Sequence, residues 1–151
     1  MPLPPLCILP GLLLLAVTGC SPQTPQSGID PTDLRQVARG EVVYREHCAA
    51  CHGADREGQP DWRRRLPNGR LPAPPHDESG HTWHHPDADL FAMTKHGMVP
   101  PLAPEGYESD MPAYAGVLSD DEIRAALAWI QSTWPAEIHT MRRRMLEQAG
   151  R

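Results

Sequence analysis

Apolar and polar positions divide the chain into stretches of different character. Residues Leu6 to Val17 are almost wholly apolar, with Pro10 and Gly11 inside the run. The following Ser21 to Gly28 are polar, uncharged and rich in turn formers, which predicts a flexible connection. From Asp30 the pattern turns helical: Leu34, Val37, Ala38, Val42 and Val43 recur loosely at helical spacing. Asp30-Pro31-Thr32-Asp33 supplies a cap, a proline and an acidic first turn, so a helix is expected from there to about His47. Gly40 and Tyr44 lie one turn apart on a common face that can meet another helix closely.

Three more helices are expected downstream. One begins near Pro86, carries Leu90, Phe91 and Met93, and stops at Gly97, where a left-handed residue is easily placed. In a second, Ser119 and Glu122 form a capping box, with Leu118 as a hydrophobic staple. Ile123, Ala126, Leu127 and Ile130, with Trp129 beside them, carry this helix from about Asp120 to Thr133, and Pro135 ends it. Beyond it Ile138, Met141, Met145, Leu146 and Ala149 predict a short amphipathic helix over residues 135–151. Its Arg142, Arg143 and Arg144 form a positive patch. Such a patch is usually a solvated face; it can also meet anionic headgroups, an acidic partner or the domain itself. No alternating strand pattern is present, so the fold class is all-α.

The 151 residues leave room for one modest domain after the apolar run. Only 5% of them are aromatic and 18 are proline, which makes for a thin core that a large buried cofactor would complete. A formal charge of -5 argues against nucleic acid as a partner, because polyanion binding needs a basic face.

The cysteines fall into two contexts rather than a disulfide framework. Cys48-Ala49-Ala50-Cys51-His52 is C-x-x-C-H, the pattern of c-type haem attachment in an exported protein. Two residues between the thiols let one helical turn present both sulfurs to the haem vinyl groups, while His52 offers its imidazole to the iron. A thioredoxin-like dithiol would need a βαβ setting and a zinc site a second ligand pair; neither pattern occurs.

Val17-Thr18-Gly19-Cys20 closes the apolar run and resembles a bacterial lipoprotein signal with its lipobox, although no Lys or Arg precedes the run. The resemblance implies a signal peptide over residues 1–19, lipidation of Cys20, a tether over residues 20–29, and a periplasmic or otherwise extracytoplasmic, membrane-anchored location. Secretion with cleavage elsewhere is the rival. The run is shorter than the roughly 20 apolar residues that cross a bilayer.

A helix carrying Gly40 and Tyr44 and leading into Cys48-Ala49-Ala50-Cys51-His52-Gly53 resembles the class I cytochrome c family. The resemblance spans about Asp30 to Trp134 and is specific only at its two ends. It implies a small cytochrome c fold, three to five helices around one covalently bound haem c, in a domain over residues 30–134. The second axial ligand would come from Asp110-Met111-Pro112-Ala113-Tyr114, with Met111 preferred over Met93 and Met98. A proline carbonyl, Pro74 or Pro75, would accept a hydrogen bond from His52. Trp83 would pack on the porphyrin and bind a propionate.

His76, His81, His84 and His85 crowd the stretch between the two ends. They would either form a polar loop at the haem edge or hold a second, copper-type metal in a protein of metal binding or delivery. The expected function is a membrane-tethered one-electron carrier or relay subunit outside the cytoplasm. It has no catalytic residues of its own, though it can belong to an oxidoreductase complex. Its partners would be redox donors and acceptors, such as membrane-bound respiratory or dehydrogenase complexes. A haem sensor or peroxidase-like enzyme would instead need an open sixth position.

Overall fold

The computed structural model describes residues 27–150. They form five α-helices and one 3-10 turn: α1 (Leu34–His47), α2 (Ala49–His52), the turn Thr82–His84, α3 (Asp87–His96), α4 (Asp120–Ser132) and α5 (Ala136–Ala149). The architecture is all-α, as the sequence pattern predicts. The expected signal peptide, Cys20 and the first part of the expected tether lie outside the described residues. No described helix is long and apolar enough to cross a membrane.

α1 starts later than Asp30. The Asp30 carboxylate accepts from the Thr32 N–H and hydroxyl, closing a turn, and Asp33 caps the helix by accepting from the Arg35 and Gln36 N–H groups. The buried face is also narrower than the apolar pattern implies. Gly40, Val43 and Tyr44 are buried, whereas Leu34 and Val42 are 80% and 54% exposed. Positions 34, 38 and 42 share a face that points away from α4, and a glycine and a tyrosine make the core contact instead.

α1 crosses α4 where both are stripped of bulk. A methyl group at Gly40 would lie 1.9 Å from the Ala125 carbonyl oxygen, so the two backbones touch there. One turn on, Tyr44 packs against Trp129 with ring centres 4.6 Å apart. Its hydroxyl donates to the Gly53 carbonyl at 3.0 Å, tying the crossing to the loop after α2. Ile29 also joins this core, and the Ser27 hydroxyl donates to Asp87 at 2.9 Å. The tether expected to run through residue 29 is therefore already packed on the domain at its last three positions.

α4 begins with the expected capping box. The Ser119 N–H donates to the Glu122 carboxylate at 2.9 Å, and the Glu122 N–H donates to the Ser119 hydroxyl at 3.3 Å. The Ser119 N–H and hydroxyl, with Arg39 at 3.2 Å, hold Glu122 from its ordinary 4.5 down to about 2. A lowered folded-state pKa means that this stabilisation is complete above 4.5 and is lost as pH falls toward 2. A circular-dichroism series should show melting temperature falling through that window, with a shallower slope in Glu122→Gln.

α5 departs from its amphipathic prediction at two neighbouring residues. Arg142, expected in the positive patch, is 6% exposed, while Met141 faces solvent. Arg142 shares an inner face with Ile138 and Met145, three to four residues away, and this face lies on the histidine-rich loop. Its guanidinium donates to the Trp83 carbonyl at 2.8 Å, to the His85 carbonyl, and to Asp87 at 2.6 Å. Arg143 and Arg144 remain exposed. Arg142→Ala would leave the Trp83 and His85 carbonyls without this donor and remove the counter-charge of Asp87, which keeps its bonds from Ser27 and Gln131, at a cost of about 1–3 kcal/mol. Chemical denaturation should resolve that loss, and an unchanged midpoint would contradict it.

Candidate functional site

α1 ends at Cys48, whose N–H still donates to the Tyr44 carbonyl at 2.8 Å, and the single turn of α2 follows at once. Cys48 and Cys51 are free thiols, and His52 is buried. Burial, and next the neighbouring Cys51, push the Cys48 thiol up to about 11. Burial lowers the pKa of His52, against the opposing pull of its hydrogen bond to Pro74. The neutral imidazole, the form that binds metal, is thereby favoured.

The long irregular segment after α2 is laced back onto His52. Gly58 donates to the His52 carbonyl at 2.8 Å, and Gln59 donates to the Ala73 carbonyl at 2.9 Å. Gly58 has φ +69, and a side chain there would meet the Pro75 nitrogen at 2.4 Å, so only glycine lets the two strands of this loop close. The result is one short contact: His52 Nδ1 lies 2.8 Å from the Pro74 carbonyl oxygen. A carbonyl can only accept, so the proton is on Nδ1 and the Nε2 lone pair is free for a metal. Of the two proline candidates, Pro74 makes this contact, while the Pro75 carbonyl accepts from the Thr82 hydroxyl at 3.4 Å.

Met111 is held on a loop of its own. Its N–H donates to the Ser109 hydroxyl at 3.1 Å. Arg70 pairs with Glu108 at 3.4 Å and with Asp110, gripping the loop on both sides of Ser109. Downstream, Tyr114 donates its N–H to the Thr94 carbonyl at 3.1 Å and its hydroxyl to the His47 carbonyl at 2.6 Å. The methionine loop is thus fastened to α3 and to the end of α1.

Cys48, Cys51, His52, Pro74 and Met111 all line one cavity of about 340 Å³. Leu90, Leu127 and Ile130 give it an apolar wall, and Met93 and Met98 line it too. Two thiols, an imidazole with a free Nε2 and a thioether around an apolar cavity are the donor set that a covalently held haem requires. The residues present therefore fit that cofactor.

One aromatic expectation changes. Trp83 is absent from the cavity wall; it packs against the helical core with His84 3.7 Å from its ring, and its buried Nε1 has no partner among the described residues. Its carbonyl accepts from Arg142. Trp62 occupies the wall instead, stacked on His81 with ring centres 5.2 Å apart. No periodicity marks Trp62, because the segment around it has no regular structure.

The histidines separate into different roles. His76 stacks on His52, His81 stacks on Trp62, and His84 lies against Trp83. Among the described residues no three His, Cys, Asp or Glu side chains gather as a metal-binding group. The second-metal alternative therefore finds no assembled ligand set in this loop.

Comparison with protein families matches residues 35–130 to the family described as cytochrome c oxidase, cbb3-type, subunit III. Comparisons with curated proteins and with solved structures gave no match. The matched stretch runs from the first turn of α1 to Ile130 in α4, enclosing the C-x-x-C-H motif and Met111. With that motif facing an apolar cavity in an all-α fold, the chain belongs to this cbb3-type cytochrome c family, whose cytochrome c domain implies haem-based electron transfer.

Proposed function

We propose that the protein is a mono-haem c-type cytochrome acting as a membrane-tethered one-electron carrier or relay subunit outside the cytoplasm. The observation that carries this reading is the convergence of Cys48, Cys51, His52 and Met111 on one cavity, with His52 oriented by Pro74. Cys48 and Cys51 would hold haem c through thioethers, and His52 Nε2 and Met111 would be its axial ligands. When bound, the haem supplies a ferric/ferrous couple.

The protein's own residues do the rest. Pro74 holds the His52 ring and raises its basicity. Leu90, Leu127 and Ile130 exclude water on the apolar side, and the Arg70 grip on Glu108 and Asp110 keeps the thioether of Met111 in reach. A soft thioether favours the ferrous state, which suits an electron acceptor of moderately high potential. The family's description supports partners in respiratory complexes. The lipobox around Cys20 supports a lipid anchor, which would raise the local concentration near such partners.

The decisive measurement is on the haem-loaded protein. Ferric wild type should show a methionine-to-iron charge-transfer band that Met111→Ala abolishes and that Met93→Ala and Met98→Ala retain. In Met111→Ala the potential should fall by roughly 59 mV or more, a tenfold shift of a one-electron equilibrium. Survival of the band in Met111→Ala would remove it as a ligand. Incorporation of labelled palmitate, lost in Cys20→Ser, tests the anchor separately.

A further inference from the structure

The family match ends at residue 130, yet the segment beyond it reaches back to the histidine beside His52. We propose that this segment, through Trp134 and Arg142, is a strap that holds His76 face to face with His52 and so sets the orientation and donor strength of that imidazole. The proposal rests on reading His52 as an iron ligand.

His76 is held at every point except its own polar edge. Its N–H donates to the Arg56 carbonyl at 2.8 Å, and its carbonyl accepts from the Trp134 indole at 2.8 Å. Its ring lies between the His52 ring, 3.8 Å away and tilted by only 18°, and the edge of Tyr44 at 5.8 Å. Nδ1 of His76 is shut from solvent with no hydrogen-bond partner. The ring is therefore placed by its backbone and by stacking.

The strap has its own anchor. Trp134 is 4% exposed, and the Arg142 guanidinium sits 5.5 Å from its ring centre. Arg142 is in turn fixed by the Trp83 and His85 carbonyls and by Asp87, which also accepts from Gln131 at 2.7 Å. Two residues outside the matched region, Trp134 and Arg142, thus hold the loop that carries His76, and a third, Gln131, shares Asp87 at its end with Arg142.

His52 is restrained in two ways, by the Pro74 carbonyl at Nδ1 and by the His76 ring on its face. The hydrogen bond makes the imidazole a stronger donor, which favours ferric iron. Rotation of the ring would lengthen that bond, and the flat face of His76 occupies the space into which it would turn. His76 and Trp134 are positioning residues in this scheme. Weakening the stack should raise the reduction potential and change the ligand-plane orientation seen by the iron.

The test uses the full-length haem-loaded protein and compares His76→Ala, His76→Phe and Trp134→Phe with wild type. The readouts are the reduction potential and the ferric electron paramagnetic resonance g values. We expect His76→Ala to shift the g values and raise the potential, and His76→Phe, which keeps a flat ring, to restore both toward wild type. Trp134→Phe should give a smaller shift in the same direction. It retains aromatic volume and carries the test if His76→Ala does not fold. Wild-type g values and potential in Trp134→Phe and in any folded His76→Ala would overturn the proposal, whatever happens to the melting temperature. A purified chain without haem would overturn the proposed function and this inference together; a haem-bearing chain with unaltered spectra would overturn only the inference.

Discussion

Replacing Cys48 and Cys51 together by alanine should yield a chain that carries no haem after denaturing electrophoresis and that no longer melts cooperatively. The first outcome follows from the chemistry: no other described cysteine is present to form a thioether. The second follows from the packing. The cavity of about 340 Å³ is walled by Leu90, Leu127 and Ile130, which are core positions of α3 and α4. Without the haem those apolar side chains border an open cavity instead of packed atoms, and the contacts forfeited there are a large loss for a domain with a thin core. Each single cysteine variant retains one possible thioether and should keep part of the haem stain. Covalent haem in the double variant, or an apoprotein that melts like the holoprotein, would contradict the reading of this cavity.

The second large effect is expected at the helix crossing. Gly40→Ala adds a methyl group 1.9 Å from the Ala125 carbonyl oxygen and 2.9 Å from the Trp129 Cβ. Alanine gains about 1 kcal/mol of helix propensity over glycine. The clash outweighs that gain, because overpacking costs about 1–3 kcal/mol, and more where the neighbour is backbone that cannot rotate away. α1 and α4 must separate, which pulls Tyr44 from Trp129 and from the Gly53 carbonyl that follows the haem motif. A net loss of about 2 kcal/mol should lower the melting temperature by roughly 5–10 °C. Gly40→Val, with more bulk and a smaller propensity gain than alanine, should be worse. An unchanged melting temperature in Gly40→Ala would mean that the two helices do not touch here.

Some of this structure was legible from local chemistry. Ser119 and Glu122 announce the start of α4 because their reciprocal hydrogen bonds involve only neighbours in sequence. Gly97 marks the end of α3, and it has φ +82 there. Cys48, Cys51 and His52 are legible for the same reason, since one helical turn brings them together. Gly40 and Tyr44 could be picked out as a contact face, although the Ala125 and Gly53 carbonyls they meet could not.

Other features were hidden because they are made by residues far apart in the chain. Leu34 and Val42 read as core residues and are exposed, because which face of α1 is buried depends on where α4 lies. Arg142 read as part of a solvated patch and is buried, because its acceptors are 55 or more positions away. Trp83 read as a cofactor contact, but Trp62 takes the cavity wall, since the irregular loop between them carries no period from which a direction can be read.

The capped start of α4 and the attachment motif can be read from residue order alone, because hydrogen bonds and thiol spacing within one or two turns are set by local covalent geometry. That Pro74 orients His52, that Met111 shares its cavity, that His76 lies on its face and that Arg142 locks the loop follows from the folded chain. Each of these joins segments whose relative position depends on how the whole chain excludes water from one thin core.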